Sequence, residues 1–143
     1  MTPRLSIVIV NFNGRGHLEP CLRSLVDHPS STPAEIVVVD NASTDGSASV
    51  VAGFPGIRLI QLATNVGFSA GNNAGIRATA GELVLLLNND TVVPAGALDR
   101  LVARLDADPA AAIAGPRLVD GRGEPELSFG PMISPLGELR QKL

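Results

Sequence analysis

The chain has 143 residues, 45% of them apolar and 17% charged, with a net charge of −3 and a pI near 5.2. That length suits one ordinary domain burying roughly two thirds of the surface its unfolded form exposes. A single lysine, Lys142, and the acidic balance exclude the broad basic face that nucleic-acid binding requires, and lone Cys21 excludes an intrachain disulfide or a cysteine zinc site.

No apolar run approaches the ~18 residues needed to span a bilayer. The first ten residues lack the small-residue cleavage site of a secretory leader, so the expected compartment is the cytoplasm. In chain order, residues 5–10 form a short β-branched run, as in a parallel strand buried on both faces. Leu18, Cys21, Leu22, Leu25 and Val26 then repeat at helical spacing, which places Cys21 on the apolar side of a helix as a buried, inert thiol. His17 and His28 flank that helix as surface or capping residues. A Pro/Ser-rich break at 29–33 precedes a second strand, Ile36 through Val39, that ends on Asp40.

Side-chain oxygens between Asn41 and Asp45 suit the cap of a short helix through Val50 and Val51, stopped at 53–56. Residues 57–62 form a third strand. Residues 67–79 are small and helix-like, with Gly67, Gly71 and Gly75 every fourth position. Each costs about 1 kcal/mol relative to alanine inside a helix, which implies either close backbone packing or close approach to a ligand. A fourth strand, 83–87, ends on Asn88-Asn89-Asp90. Pro94 suits a first helical position before Leu98, Leu101, Val102 and Leu105. A weaker fifth strand is expected over 111–119, followed by a Pro- and Gly-rich stretch with a hint of helix at 136–143.

Strands alternating with helices predict an α/β fold: a mostly parallel sheet with helices on both faces, Rossmann-like. Ligands of such sheets bind beyond the carboxyl ends of the strands. Three of these ends carry polar clusters: Asn11 and Asn13, Asp40 to Asp45, and Asn88 to Asp90. Each cluster alone is equally a set of turn and capping residues; their common edge argues for a site. The first strand is followed by neither a Gly-x-Gly-x-x-Gly turn nor a Walker loop. Phosphates would then be held by a divalent cation, for which Asp90 offers a hard oxygen ligand. Trp and Tyr are absent and Phe occurs four times, which leaves little aromatic surface for stacking a flat or sugar-like ligand. Arg58 and Arg77 are long enough to reach a diphosphate, but each reads first as solvated.

Four ordered blocks carry a family resemblance: Ser6-Ile7-Val8-Ile9-Val10-Asn11-Phe12-Asn13, Val37-Val38-Val39-Asp40-Asn41-Ala42-Ser43-Thr44-Asp45-Gly46-Ser47, Asn65-Val66-Gly67-Phe68-Ser69-Ala70-Gly71-Asn72-Asn73-Ala74-Gly75, and Leu85-Leu86-Leu87-Asn88-Asn89-Asp90. Over residues 4–120 the chain resembles the donor half of family 2 glycosyltransferases of the GT-A fold, in their rhamnosyltransferase-like branch. The resemblance implies a nucleoside-diphosphate sugar as donor, a saccharide or lipid-linked acceptor, inversion at the anomeric carbon, and a role in cell-surface polysaccharide synthesis. It implies Mg²⁺ or Mn²⁺ as cofactor, no nucleic-acid partner, and peripheral association with the inner face of the membrane through regions outside this chain.

Residue by residue, the resemblance places Asp40 at the nucleotide base, with Asn11 and Asn13 lining the same pocket. Asn88 and Asp90 match the outer positions of an Asp-x-Asp motif, Asp90 binding the metal; Asn88 replaces an acidic residue and removes one negative charge. Asn65, Gly67, Asn72 and Asn73 match a block near the donor. Residues 1–120 then form the nucleotide-sugar-binding part and 121–143 the start of an acceptor-side segment, with the general base expected beyond Leu143. After Asp108 the carboxylates are Asp120, Glu124, Glu126 and Glu138, and none lies in a block resembling a base site. Two other readings are a non-catalytic module that binds the nucleotide sugar without turnover and, more distantly, a nucleotidyltransferase.

Overall fold

The first strand, β1 (Leu5–Asn11), is buried along its whole length, as its unbroken apolar run requires. In the computed structural model, which describes residues 2–125, β1 lies between β2 (Ala34–Asp40) and β4 (Leu83–Asn88), and β3 (Ile57–Gln61) flanks β2. The order is β3-β2-β1-β4 and all pairings are parallel. The chain thus steps outward from β1 through β2 to β3, then crosses to the far side of β1 for β4. The strand order reverses at β1, where doubly wound sheets open a crevice.

The helices are α1 (Arg15–Asp27), α2 (Ser47–Ala52), α3 (Phe68–Ala78) and α4 (Ala97–Asp106). Alternating β-strand side chains divide the core into two layers. Ile7, Ile9 and Val38 meet Leu18, Cys21 and Leu22 of α1, Val51 of α2, and Leu98 and Val102 of α4 on one face. On the other, Val8, Val10, Val37 and Val39 meet Ala74 of α3. The doubly covered parallel sheet expected from the sequence is present. At β4 the second face is open: Val84 and Leu86 are exposed, while Leu83, Leu85 and Leu87 pack into the first layer.

The glycine row separates into two roles. A Cβ on Gly71 would sit 2.9 Å from Val10 Cγ1, and one on Gly75 would run into Val8 Cγ1, so these two glycines let α3 lie directly on β1. Gly67 has open space around it and a φ of +83°, and serves the turn into α3.

At the amino ends of the strands Glu35 accepts hydrogen bonds from the Ser6 hydroxyl (2.8 Å) and the Ala80 N–H (2.9 Å) and pairs with Arg58 at 3.3 Å. Partial burial pushes the Glu35 carboxyl up, but the hydrogen bonds from Ala80 and Ser6 and the Arg58 charge outweigh it and hold it below the usual range. Arg58 is therefore engaged rather than freely solvated.

Two expectations need correction, the fifth strand and the helix start at Pro94. Residues 111–119 form no strand: Gly115-Pro116 interrupts the run, Ile113 is 89% exposed, and only an isolated antiparallel bridge joins Val119 to Pro125. Pro94 does not open a helix. It closes a turn by accepting from the Ala97 N–H, and α4 starts after Gly96 at φ +71°. The short helix α2 is capped as expected from within 41–45: Asp45 Oδ1, one residue before the Gly46 N-cap, accepts from the Ser47 N–H at 3.0 Å. Residues 1–103 form one compact unit, and the described residues from 104 onward belong to a second. In the second, Asp120 Oδ1 accepts from the N–H groups of Arg122 and Glu124 in a tight turn. Glu126, Glu138 and the hint of helix at 136–143 lie outside the described residues.

Candidate functional site

Strand register brings the polar clusters to one level. Asn11 pairs with Asp40 across β1–β2, Val10 with Asn88 across β1–β4, and Asp40 with Gln61 across β2–β3. Because all strands run the same way, the turns that follow them emerge together at the point of reversed strand order.

The turn after β1 is knitted to the turn after β2. Asn11 is fully buried; its Nδ2 donates to Ser43 Oγ at 3.1 Å and to Asp40 Oδ1 at 3.4 Å. Asn13 donates its backbone N–H to Ser43 Oγ and accepts from the Thr44 N–H at 2.8 Å. Its φ of +50° is one asparagine tolerates, whereas Ala42 at +63° carries strain of roughly 1 kcal/mol. Asp40, nearly buried, also accepts from the Ser43 N–H. Asp45 Oδ2 accepts from the Arg15 N–H at 2.8 Å. Its carboxyl is held below the usual range, first by the Ser47 hydroxyl and then by the Arg15 N–H.

The turn before α3 is held by Asn41, a residue to which the sequence assigned no separate role. Its Nδ2 donates to Asn65 Oδ1 (2.9 Å) and the Gly67 carbonyl (3.3 Å), while its Oδ1 accepts from the Val66 N–H (2.9 Å). The turn after β4 is tied back to β1 by Asn89, whose Nδ2 donates to Asn11 Oδ1 at 2.7 Å. Beneath it the Cys21 thiol donates to the Asn88 carbonyl at 3.7 Å.

These turns enclose a cavity of about 330 Å³ lined by Val10, Phe12, Asn41, Asn65, Gly67, Phe68, Asn88 and Asn89. Of the expected nucleotide-sugar residues, Asn65, Gly67 and Asn88 line it. Asn11, Asn13 and Asp40 do not line it and belong to the loop network beside it, Asn11 and Asp40 buried and Asn13 exposed. Asn72 lies within α3, donating to the Phe68 carbonyl. Asp90 is exposed in the turn beside Asn88 and Asn89. Phe12 and Phe68, 49% and 58% exposed, give the cavity apolar walls that the low aromatic count had not suggested. A second cavity of about 350 Å³ runs between α1 and α2, lined in part by Arg15, Glu19, Arg23 and Phe54. There Arg23 is paired with Glu19 and lies over the Phe54 ring, and no strand end contributes.

Among the described residues no three His, Cys, Asp or Glu side chains cluster as a metal cage. Asp90 offers one exposed carboxylate in the turn that also carries Asn88 and Asn89. That donor set fits a hard divalent cation completed by water and ligand phosphate, since such ions take one or two protein carboxylates, and does not fit a cage made by protein alone.

With parallel strands, reversed order at β1 and polar turns around the cavity in place, a comparison with known proteins decides the family. The glycosyl transferase family 2 model matches residues 6–141. The chain belongs to that family. It is 33% identical over 107 residues to the succinoglycan biosynthesis protein ExoO of Rhizobium meliloti (strain 1021), covering 73% of this chain and 30% of that protein. Among solved structures it is similar to the mannosyltransferase PcManGT of Pyrobaculum calidifontis in complex with GDP-Man and Mn²⁺, with a TM-score of 0.68, 29% identity, and coverage of 76% of this chain and 34% of that one. It is likewise similar to S. aureus TarS residues 1–349 in complex with UDP, with a TM-score of 0.66, 27% identity, and 75% and 32% coverage. The chain thus spans about a third of the length of these relatives. Its fold is that of the GT-A glycosyltransferases, with a Rossmann-like sheet.

Proposed function

We propose that the cavity at the carboxyl end of the sheet is the donor site of a glycosyltransferase taking a nucleoside-diphosphate sugar. The observation that carries this is the convergence of the turns after β1, β2 and β4 and before α3 on one cavity, with Asp90 following the lining residues Asn88 and Asn89 in the chain. Similarity to a GDP-mannose complex and a UDP complex supports it.

In this reading Asn65, Gly67 and Asn88 face the donor, and Phe12 and Phe68 flank its flat or apolar parts. Asn11, Asn13, Asp40 and Asn72 act through the turns and the helix that frame the cavity. Asp40 shapes the base pocket through the hydrogen bonds its oxygens accept from Asn11 and Ser43. Asp90 would hold Mg²⁺ or Mn²⁺, which when bound supplies Lewis-acid stabilisation of the diphosphate.

The reaction is an inverting displacement. An acceptor hydroxyl oxygen bonds to the anomeric carbon, the bond from that carbon to the diphosphate oxygen breaks with its electron pair leaving on the nucleoside diphosphate, and the hydroxyl proton passes to a general base. Asp120 Oδ1 holds a tight turn by accepting from two backbone N–H groups, and the residue lies in no block resembling a base site; the base is assigned to an acceptor-side segment that begins near residue 121. The acceptor is a saccharide or lipid-linked saccharide of a cell-surface polysaccharide, and the sugar a hexose or rhamnose. Among the described residues no helix is long and apolar enough to cross a membrane. The proposed location is the cytoplasm at the inner membrane face.

Titration calorimetry with UDP and GDP, with and without Mn²⁺, tests the assignment. The parent should bind one of them more tightly with Mn²⁺, and Asp90→Ala should weaken the Mn²⁺-supported binding by about tenfold or more. A folded parent that binds neither nucleotide, with Asp90→Ala behaving identically, would sink the assignment.

A further inference from the structure

Asn89 ties the β4 turn to β1, and its direction is determined by residues on the other side of the site. Asn11 is fully buried and both ends of its carboxamide are in use: Nδ2 towards Asp40 and Ser43, Oδ1 towards Asn89. An ionised carboxylate only accepts. Asp40 therefore holds Asn11 with its NH₂ group towards β2 and its carbonyl oxygen towards β4. That oxygen can take only a donor, so Asn89 must present its Nδ2 inward, which leaves its Oδ1 and second N–H for the cavity it lines.

Gly14 supplies an independent observation. A Cβ there would overlap Asn89 Nδ2 and stand 2.6 Å from Asn11 Oδ1, so the absence of a side chain at the start of α1 leaves room for this one hydrogen bond. With a φ of −109°, Gly14 is in a conformation any residue adopts. Its small size answers to the space and not to the backbone.

We propose that Asn89 is a positioning residue whose orientation is set by the charge of Asp40, relayed through Asn11 across Gly14, and that this relay holds the Asn88-Asn89-Asp90 turn ready for a nucleoside diphosphate and its divalent cation. The inference rests on the donor-site reading above. It joins the two ends of the site: a change at Asp40, beneath the nucleotide pocket, is felt at the turn that bears Asp90.

The test uses the 143-residue chain with Asn89→Ala, Gly14→Ala, Asn89→Asp, Asp40→Asn and the double variant Asp40→Asn/Asn89→Asp, read by thermal melting and by calorimetry with UDP or GDP, with and without Mn²⁺. Asn89→Ala and Gly14→Ala both displace a half-exposed carboxamide and should weaken Mn²⁺-supported nucleotide binding by about tenfold, within the range for residues sharing one network. Metal-free nucleotide affinity should fall by less than the Mn²⁺-supported affinity. Asn89→Asp sets acceptors on both sides of Asn11 and should lower the melting temperature further than Asn89→Ala. Adding Asp40→Asn reverses every donor and acceptor along the relay and should recover that loss. Equal weakening with and without Mn²⁺, or simple addition of the two single-variant melting losses, would overturn the proposal. A parent that binds no nucleotide removes the donor reading, and the melting cycle still decides whether the relay exists.

Discussion

Cys21 lies under the β4 turn, and its environment decides its chemistry. Burial first, and then the Asp90 carboxylate, push the thiol from 9.0 up to about 11, which the hydrogen bond involving Thr91 only partly offsets. Between those values the unfolded chain has lost the proton and the folded chain keeps it. Stability from this group is thus fully present below pH 9 and is lost as pH rises towards 11, by about 2–3 kcal/mol. Urea unfolding at pH 8 and at pH 10.5 should show that loss in the parent and a smaller one in Cys21→Ala, and iodoacetamide should label the native thiol only after denaturant is added. The buried thiol was legible from helical spacing alone. The anchoring roles of Asn41 and Asn89 were not, because their partners lie 24–26 and 78 residues away and nothing local in the sequence distinguishes them from ordinary turn asparagines.

Helix α3 shows what a periodic signal does and does not settle. Glycines at every fourth position permit either contact with strands or contact with a ligand, and the sequence cannot separate the two. The structure divides them: Gly71 and Gly75 face β1, and Gly67 belongs to the turn. Gly75→Ala should therefore destabilise the fold by about 1–3 kcal/mol, the usual cost of overpacking, measured as a lower urea midpoint with unchanged slope. The same limit explains residues 111–119. Their apolar content resembles a strand, but a strand needs a neighbour to pair with, and a run broken at Gly115-Pro116 and exposed at Ile113 has none among the described residues beyond the bridge from Val119. The four strong strands had no such break, and each was found.

At the scale of the whole molecule, alternation of strands and helices revealed the class of fold, while the side of β1 on which β4 settles is fixed by packing between elements far apart in the chain. That choice creates the cavity. If it holds a nucleoside diphosphate with its cation, ligand at about 100 times its dissociation constant adds roughly 2.7 kcal/mol to stability. A melting scan with UDP or GDP and Mn²⁺ should then rise by about 5–10 °C, and ligand-free Mn²⁺ alone should give a much smaller rise.

The same topology governs when the site comes into being as the chain folds. The contact between Asn11 and Asn89 closes a loop of 78 residues, and nearly every strand and helix of the sheet lies inside that loop. Contacts of such high sequence separation form late, after the loop entropy has been met by nearer pairings. A folding intermediate with β1, β2 and β3 assembled would already carry Asp40 and its asparagines, yet it would have no Asp90 beside them. Only the arrival of β4 completes the mouth of the cavity.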